Sequence, residues 1–169
     1  YGGRDVQKIS TCQTDAFDSK DFGGMGYMVD GVPYFYNDSV KCHTTETEFD
    51  VSSLKELPKV GVAYFTIDAD PEILDYYKES GVQGIVIAGA GSGCYSEQWN
   101  NKIDELAETG IPVVRCSRIG SGVITQDDYF IGNIARGNDL APQKAATLLR
   151  LILTVTNDIE QVQNMFDKY

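Results

Sequence analysis

The chain has 169 residues, a formal net charge of −11 and a sequence pI near 4.4, with 42% hydrophobic and 23% charged residues. That length suits one well-buried domain with an arm and is too short for two large ones, while the acidity repels a phosphate backbone and makes nucleic acid an unexpected partner. No apolar run approaches the roughly 18 residues of a membrane span, so no membrane partner is expected either.

The front does not open with a basic stretch and an apolar run of the signal-peptide kind, and it begins at Tyr1, as a processed, truncated or incomplete chain would. Residues 1–50 are rich in Thr, Ser, Asp, Gly and aromatics, without a sustained helical period. Within them Gly26-Tyr27-Met28-Val29, Asp30-Gly31 and Val32-Pro33-Tyr34-Phe35-Tyr36 predict a hairpin, because Asp-Gly suits a type I′ turn. Pro33 places the second strand at an edge or near its start. The front is therefore expected to be an arm over residues 1–50, ahead of an α/β domain over 51–169.

From Val51 strands and helices alternate. Val60 to Thr66 reads as a strand; Asp70 and Pro71 then open a helix with Ile73, Leu74 and Tyr77 on one face, ended by Gly81. Gly84-Ile85-Val86-Ile87-Ala88 is a short apolar run, as expected of a strand buried on both faces of a parallel sheet. It leads into Gly89, Gly91 and Gly93, and Ser96 is placed to cap a helix carrying Trp99, Ile103, Leu106 and Ala107. Pro112 to Cys116 predicts a third strand and Tyr129-Phe130-Ile131 a short fourth. Pro142 opens a helix with Ala145, Leu148, Leu149 and Ile152. Asn157 with Glu160 resembles a capping box for a last helix bearing Ile159, Val162 and Phe166. Strand–helix alternation implies a parallel sheet with right-handed crossovers.

Chemistry-bearing residues are few. The spacing Gly-x-Gly-x-Gly at 89–93 puts Cys94 where a dinucleotide fingerprint needs its last glycine, and no Gly-Lys-Ser/Thr follows to make a P-loop. A structural turn is favoured there. Arg115 and Arg118 end a strand and suit either a carboxylate ligand or acidic partners at a subunit contact. Lys8, beside Ser10 and Thr11, reads as a surface lysine on residue type alone; shielded from water, a lysine can act as a base toward a hydroxyl. Cys12, Cys42, Cys94 and Cys116 show no Cys-x-x-Cys, and His43 is the sole histidine, so no zinc site and no cofactor are expected. Cys116, after the apolar Val113-Val114, is read as a small core or strand-end residue. Cys12 and Cys42 are a candidate disulfide that sequence leaves undecided.

Taken together, Gly3-Arg4-Asp5-Val6-Gln7-Lys8, Phe49-Asp50-Val51, Leu57-Pro58-Lys59-Val60, the Gly84–Ser96 loop, Ile111 to Arg118 and Pro142-Gln143-Lys144-Ala145 resemble, in order and spacing, the carboxyl-terminal half of a bacterial-type L-asparaginase. The secreted type II branch is the nearest, and the resemblance covers essentially the whole chain. It implies a three-layer α/β domain preceded by the tail of an amino-terminal domain and a linker. It also implies hydrolysis of L-asparagine, with L-glutamine a competing substrate, by a threonine nucleophile in an amino-terminal half that this sequence does not include. A second threonine, an aspartate and a lysine assist it, and Lys8 matches that lysine. Cys94 and Asp128, with Asp127 as a competing assignment, match positions contributed to a neighbouring subunit's substrate site. A homotetramer built as a dimer of dimers is implied, in the periplasm or secreted, with the cytoplasm as the alternative. By this resemblance the chain alone is expected to be inactive. A non-catalytic binding or assembly module on the same fold is the rival expectation.

Overall fold

The structure is a computed structural model that describes residues 1–130 and 132–169, with Asp128 described through its backbone only. Its centre is a four-stranded parallel sheet in the order β5-β6-β7-β8, formed by Val60–Tyr64, Gly84–Gly89, Val113–Ser117 and Ile134–Arg136. Strand β6 is buried along its whole length, as its unbroken apolar run dictates. Register follows from pairs such as Val62 with Val86 and Val86 with Val114.

Alternation along the strands sorts the core into two layers. Ile85, Ile87 and Val113 face helices α1 (Ile73–Glu79) and α2 (Glu97–Ala107), meeting Leu74, Trp99, Ile103 and Leu106. Val86, Val114, Cys116 and Ala135 face α3 (Pro142–Ile152) and α4 (Ile159–Lys168), meeting Ala145, Leu149, Ile152, Val162 and Phe166. Each fully buried Val, Leu, Ile or Phe among them contributes roughly 1.5–3 kcal/mol relative to exposure. The three-layer α/β architecture is as expected.

Local signals behave as their chemistry directs. The Ser96 side chain accepts from the Trp99 N–H at 3.4 Å and opens α2, while Gly81 and Gly110 take positive φ past the ends of α1 and α2. Two expectations shift. The cap of α4 is Asp158, whose Oδ1 accepts from the Gln161 N–H at 3.0 Å, and not Asn157. Regular helix α1 begins at Ile73, because Asp70 Oδ1 accepts from the Glu72 N–H and closes a turn first.

One expected strand is corrected. Asp128–Phe130 forms a 3₁₀ turn, and the fourth strand is Ile134–Arg136; Ile131, the end of the expected strand, lies outside the described residues. The physical cause is Asp127: its Oδ1 accepts from the Tyr129 N–H at 2.9 Å and its carbonyl from the Phe130 N–H at 3.1 Å. That closes a turn which directs Phe130 inward, onto Tyr95 at 4.8 Å between ring centroids.

The front of the chain forms two small antiparallel ribbons: β1 (Gln7–Lys8) with β2 (Phe17–Asp18), and β3 (Gly26–Val29) with β4 (Val32–Phe35). Asp30 and Gly31, both at positive φ, make the expected turn. The second ribbon is bare, with Tyr27, Phe35 and Tyr36 exposed at 73%, 71% and 74%. Among the described residues all four cysteines are free thiols, so Cys12 and Cys42 are unbonded. Among the described residues no helix is long and apolar enough to cross a membrane.

Candidate functional site

The candidate residues lie at the carboxyl ends of β6 and β7 and on the front arm. After β6 the chain makes a tight loop, closed by reciprocal hydrogen bonds between Ala90 and Cys94 of 2.8 and 2.7 Å. Gly89 is required by contact: a Cβ there would lie 2.3 Å from the Gly93 carbonyl carbon. Gly93 itself sits at φ 82°, a conformation that a side chain disfavours. The loop leaves Cys94 exposed and buries Tyr95.

Arg115, only 2% exposed, holds this loop. Its Nη1 donates to the Ser92 carbonyl at 2.9 Å and its Nη2 to the Thr125 carbonyl at 2.7 Å. The guanidinium stacks 4.2 Å over the Phe130 ring. Burial lowers its pKa from the ordinary arginine value, which still leaves it cationic near neutrality. One buried fork therefore joins the Cys94 loop to the Thr125-Gln126-Asp127-Asp128 run. Beneath it, Arg115, Gln126, Asp127, Phe130 and Arg136 line a cleft of about 160 Å³.

Ser117 Oγ donates to the Gly91 carbonyl at 2.5 Å and accepts from the Ile119 N–H at 2.9 Å. Arg118 donates through Nη1 to the Phe65 carbonyl at 2.8 Å. Both arginines are thus engaged by backbone carbonyls within the chain. Of the competing acids, Asp127 has one carboxylate oxygen engaged by the 3₁₀ turn, and the side chain of Asp128 lies outside the described residues.

Lys8 is exposed on β1, its Nζ 5.6 Å from the Phe17 ring centroid. The arm carrying it reaches the loop after β7: Gln7 Nε2 donates to the Gly120 carbonyl at 2.9 Å, and Asp21 Oδ2 accepts from the Gly122 N–H at 2.8 Å. That loop runs on to Thr125. The same segment therefore touches the Lys8 arm at one end and the Cys94 loop, through Arg115, at the other.

Residue-type reasoning missed the groups that hold the arm. Arg4 makes a two-point pair with Asp139, Nε to Oδ2 at 2.7 Å and Nη2 to Oδ1 at 2.5 Å, and donates to the Tyr169 carbonyl. Asp5, 7% exposed, accepts from Ser19 Oγ and from the N–H groups of Asp21 and Phe22. Burial pushes the Asp5 carboxyl up, but the Ser19 hydroxyl, the Phe22 and Asp21 amides and the nearby Lys144 outweigh it, so its pKa lies below the ordinary 3.8. Lys144 donates to the Arg4 and Val6 carbonyls at 2.8 and 2.6 Å. The available signal was the shared presence of Gly-Arg-Asp at 3–5 and Pro-Gln-Lys at 142–144.

Residues 59–166 match the glutaminase/asparaginase C-terminal domain family. The chain belongs to that family. Over 98% of its length it is 39% identical to the L-asparaginase 2 of Bacillus subtilis (strain 168), covering 44% of that protein. Over 99% of its length it is 40% identical to the L-asparaginase 2 of Escherichia coli (strain K12), covering 49%. The crystal structure of a probable cytoplasmic L-asparaginase from Campylobacter jejuni superposes with a TM-score of 0.92 at 39% identity, over 98% of this chain and 55% of that one. The chain spans about half the length of the curated relatives it matches. In this asparaginase-family chain the Cys94 loop, Arg115 and the Asp127–Asp128 pair all fall inside the matched domain, whereas Lys8 precedes it on the arm. Among the described residues, no group of three or more His, Cys, Asp or Glu is placed to hold a metal.

Proposed function

We propose that the chain is the carboxyl-terminal part of an L-asparaginase, hydrolysing L-asparagine to L-aspartate and ammonia, with L-glutamine as a competing substrate. The observation that carries this is the near-complete alignment, in sequence and in fold, with proteins named L-asparaginase. In this proposal a threonine of the amino-terminal half is the nucleophile and Lys8 belongs to its triad. An exposed ammonium at the end of a well-anchored strand suits a group that meets its partners on another domain. Cys94 and Asp128 belong to a neighbouring subunit's substrate site, within a homotetramer arranged as a dimer of dimers. Supporting this, Arg115 ties their two loops into one unit.

Residues 1–50 then close the amino-terminal domain and link it to the domain of residues 51–169. The bare ribbon β3–β4 favours this division. A two-stranded hairpin is marginal alone in water, and contiguous exposed apolar surface marks an interaction face. Location in the periplasm or outside the cell goes with the type II resemblance.

The test is ammonia release from L-asparagine and L-glutamine by the complete protein and by the 169-residue chain. The complete protein is expected to be active and the chain inactive. Full-rate hydrolysis by the chain alone would overturn the placement of the nucleophile. An inactive complete protein would favour a non-catalytic binding or assembly module on this fold.

A further inference from the structure

Every residue from Arg4 to Gln7 is tied to a group distant in sequence, and Lys8 is the next residue along. Lys144 Nζ donates to two carbonyls, those of Arg4 and Val6, where the turn closed by the Val6 N–H on the Gly2 carbonyl leads into β1, as one ammonium with three donors can. Asp5, between them, directs its carboxylate to Ser19, Asp21 and Phe22 on the following segment. Arg4 grips Asp139 and the Tyr169 carbonyl, and Gln7 grips Gly120. Lys144 stands in the first turn of α3, whose Ala145 and Leu149 are fully buried against the sheet. Its anchor point is therefore the rigid core of the domain and not another loop.

We propose that Lys144, with Asp5 and Arg4, is a positioning residue for Lys8: the three form a clasp that fixes the strand bearing Lys8 to the α/β domain. The proposal rests on the role given above to Lys8. Four methylenes separate the Lys8 ammonium from its backbone, so its reach toward another domain depends on where the strand is held. A catalytic group misplaced by about 1 Å can lose on the order of 10²-fold in rate. Docking that served only stability would change unfolding and leave the turnover of folded protein alone.

The experiment uses the complete protein, with Lys144→Met, Lys144→Arg, Lys8→Ala and the Lys8→Ala/Lys144→Met double variant, each checked for cooperative thermal unfolding. Expected is a fall in kcat of about tenfold or more for Lys144→Met, with KM changed by less than about threefold and recovery in Lys144→Arg. In the Lys8→Ala background, Lys144→Met should cost less than about twofold, because its effect runs through Lys8. An unchanged kcat in Lys144→Met overturns the proposal, as does an equal loss with and without Lys8. Should Lys144→Met not fold, Lys144→Gln, which keeps two N–H donors, carries the same comparison. Amide hydrogen exchange separates the clasp from the chemistry. Should Lys8→Ala keep the wild-type rate, the role of Lys8 fails; faster exchange at Val6–Ile9 in Lys144→Met then still supports the clasp, and unchanged exchange overturns it.

Discussion

Replacing Arg115 by Met removes the fork that joins the two candidate substrate loops. Two charge-assisted hydrogen bonds, to Ser92 and Thr125, are lost at roughly 1.5–3 kcal/mol each. The stacking of the guanidinium over Phe130 adds roughly 0.5–2 kcal/mol. Against these stands relief from holding a cation that is 2% exposed, which recovers part of the total. The expected net loss is about 3 kcal/mol, a large share of the roughly 5–15 kcal/mol that holds a domain together. Urea unfolding would read it as a lower midpoint at unchanged slope. Amide exchange would read it locally, as faster exchange of the Cys94 N–H now bonded to Ala90. Arg115→Lys, with a point charge and no fork, should fall between wild type and Met. A loss under about 1 kcal/mol with unchanged Cys94 exchange would refute the clamp.

Further expectations follow from single contacts. The Asp5 carboxyl titrates below its ordinary 3.8 in the folded protein, so its contribution is complete above that value and is lost as pH falls through the folded pKa. Asp5→Asn should therefore lower stability at neutral pH and flatten the acid limb of a stability–pH curve; an unchanged limb would contradict the pairing. Gly89→Ala sets a Cβ 2.3 Å from the Gly93 carbonyl carbon and should cost on the order of 1–3 kcal/mol by thermal unfolding, and no change in melting would mean the loop takes another shape. Burial pushes the Cys116 thiol up to about 12, with Arg115 acting in the opposite direction. An aromatic disulfide reagent at neutral pH should label the exposed Cys12 and Cys94 in native protein and Cys116 only after unfolding. Two unreactive thiols in non-reducing denaturant would reveal a Cys12–Cys42 bond.

The sheet was legible because Val60–Tyr64 and Gly84–Gly89 are largely apolar runs of strand length and Val113-Val114 opens a third, each followed by a helical pattern, an order that admits few topologies. Helix ends were legible to within a residue or two, since Asp158 and Asn157 are both good caps and only geometry picks the one that meets Gln161. The fourth strand was not legible. Tyr129 and Phe130 have strand-like character, but Asp127 folds them into a turn, and Ile134–Arg136 is too short to show a period. At the site, the glycine loop could be read from residue types, while the roles of Arg115, Lys144 and Asp5 could not. Their partners are mostly backbone carbonyls and amides, which every residue carries and no motif marks. Lys8 stood out from other exposed lysines through its surrounding Gly-Arg-Asp-Val-x-Lys pattern alone.

The most direct measurement is steady-state asparagine hydrolysis by the complete protein and its Lys8→Ala variant. If Lys8 serves the threonine nucleophile, kcat should fall by on the order of 10²-fold or more with KM little changed, the pattern of a group that acts in the transition state. A Lys8→Ala protein that turns over asparagine at the wild-type rate would contradict that role and return Lys8 to the protein surface.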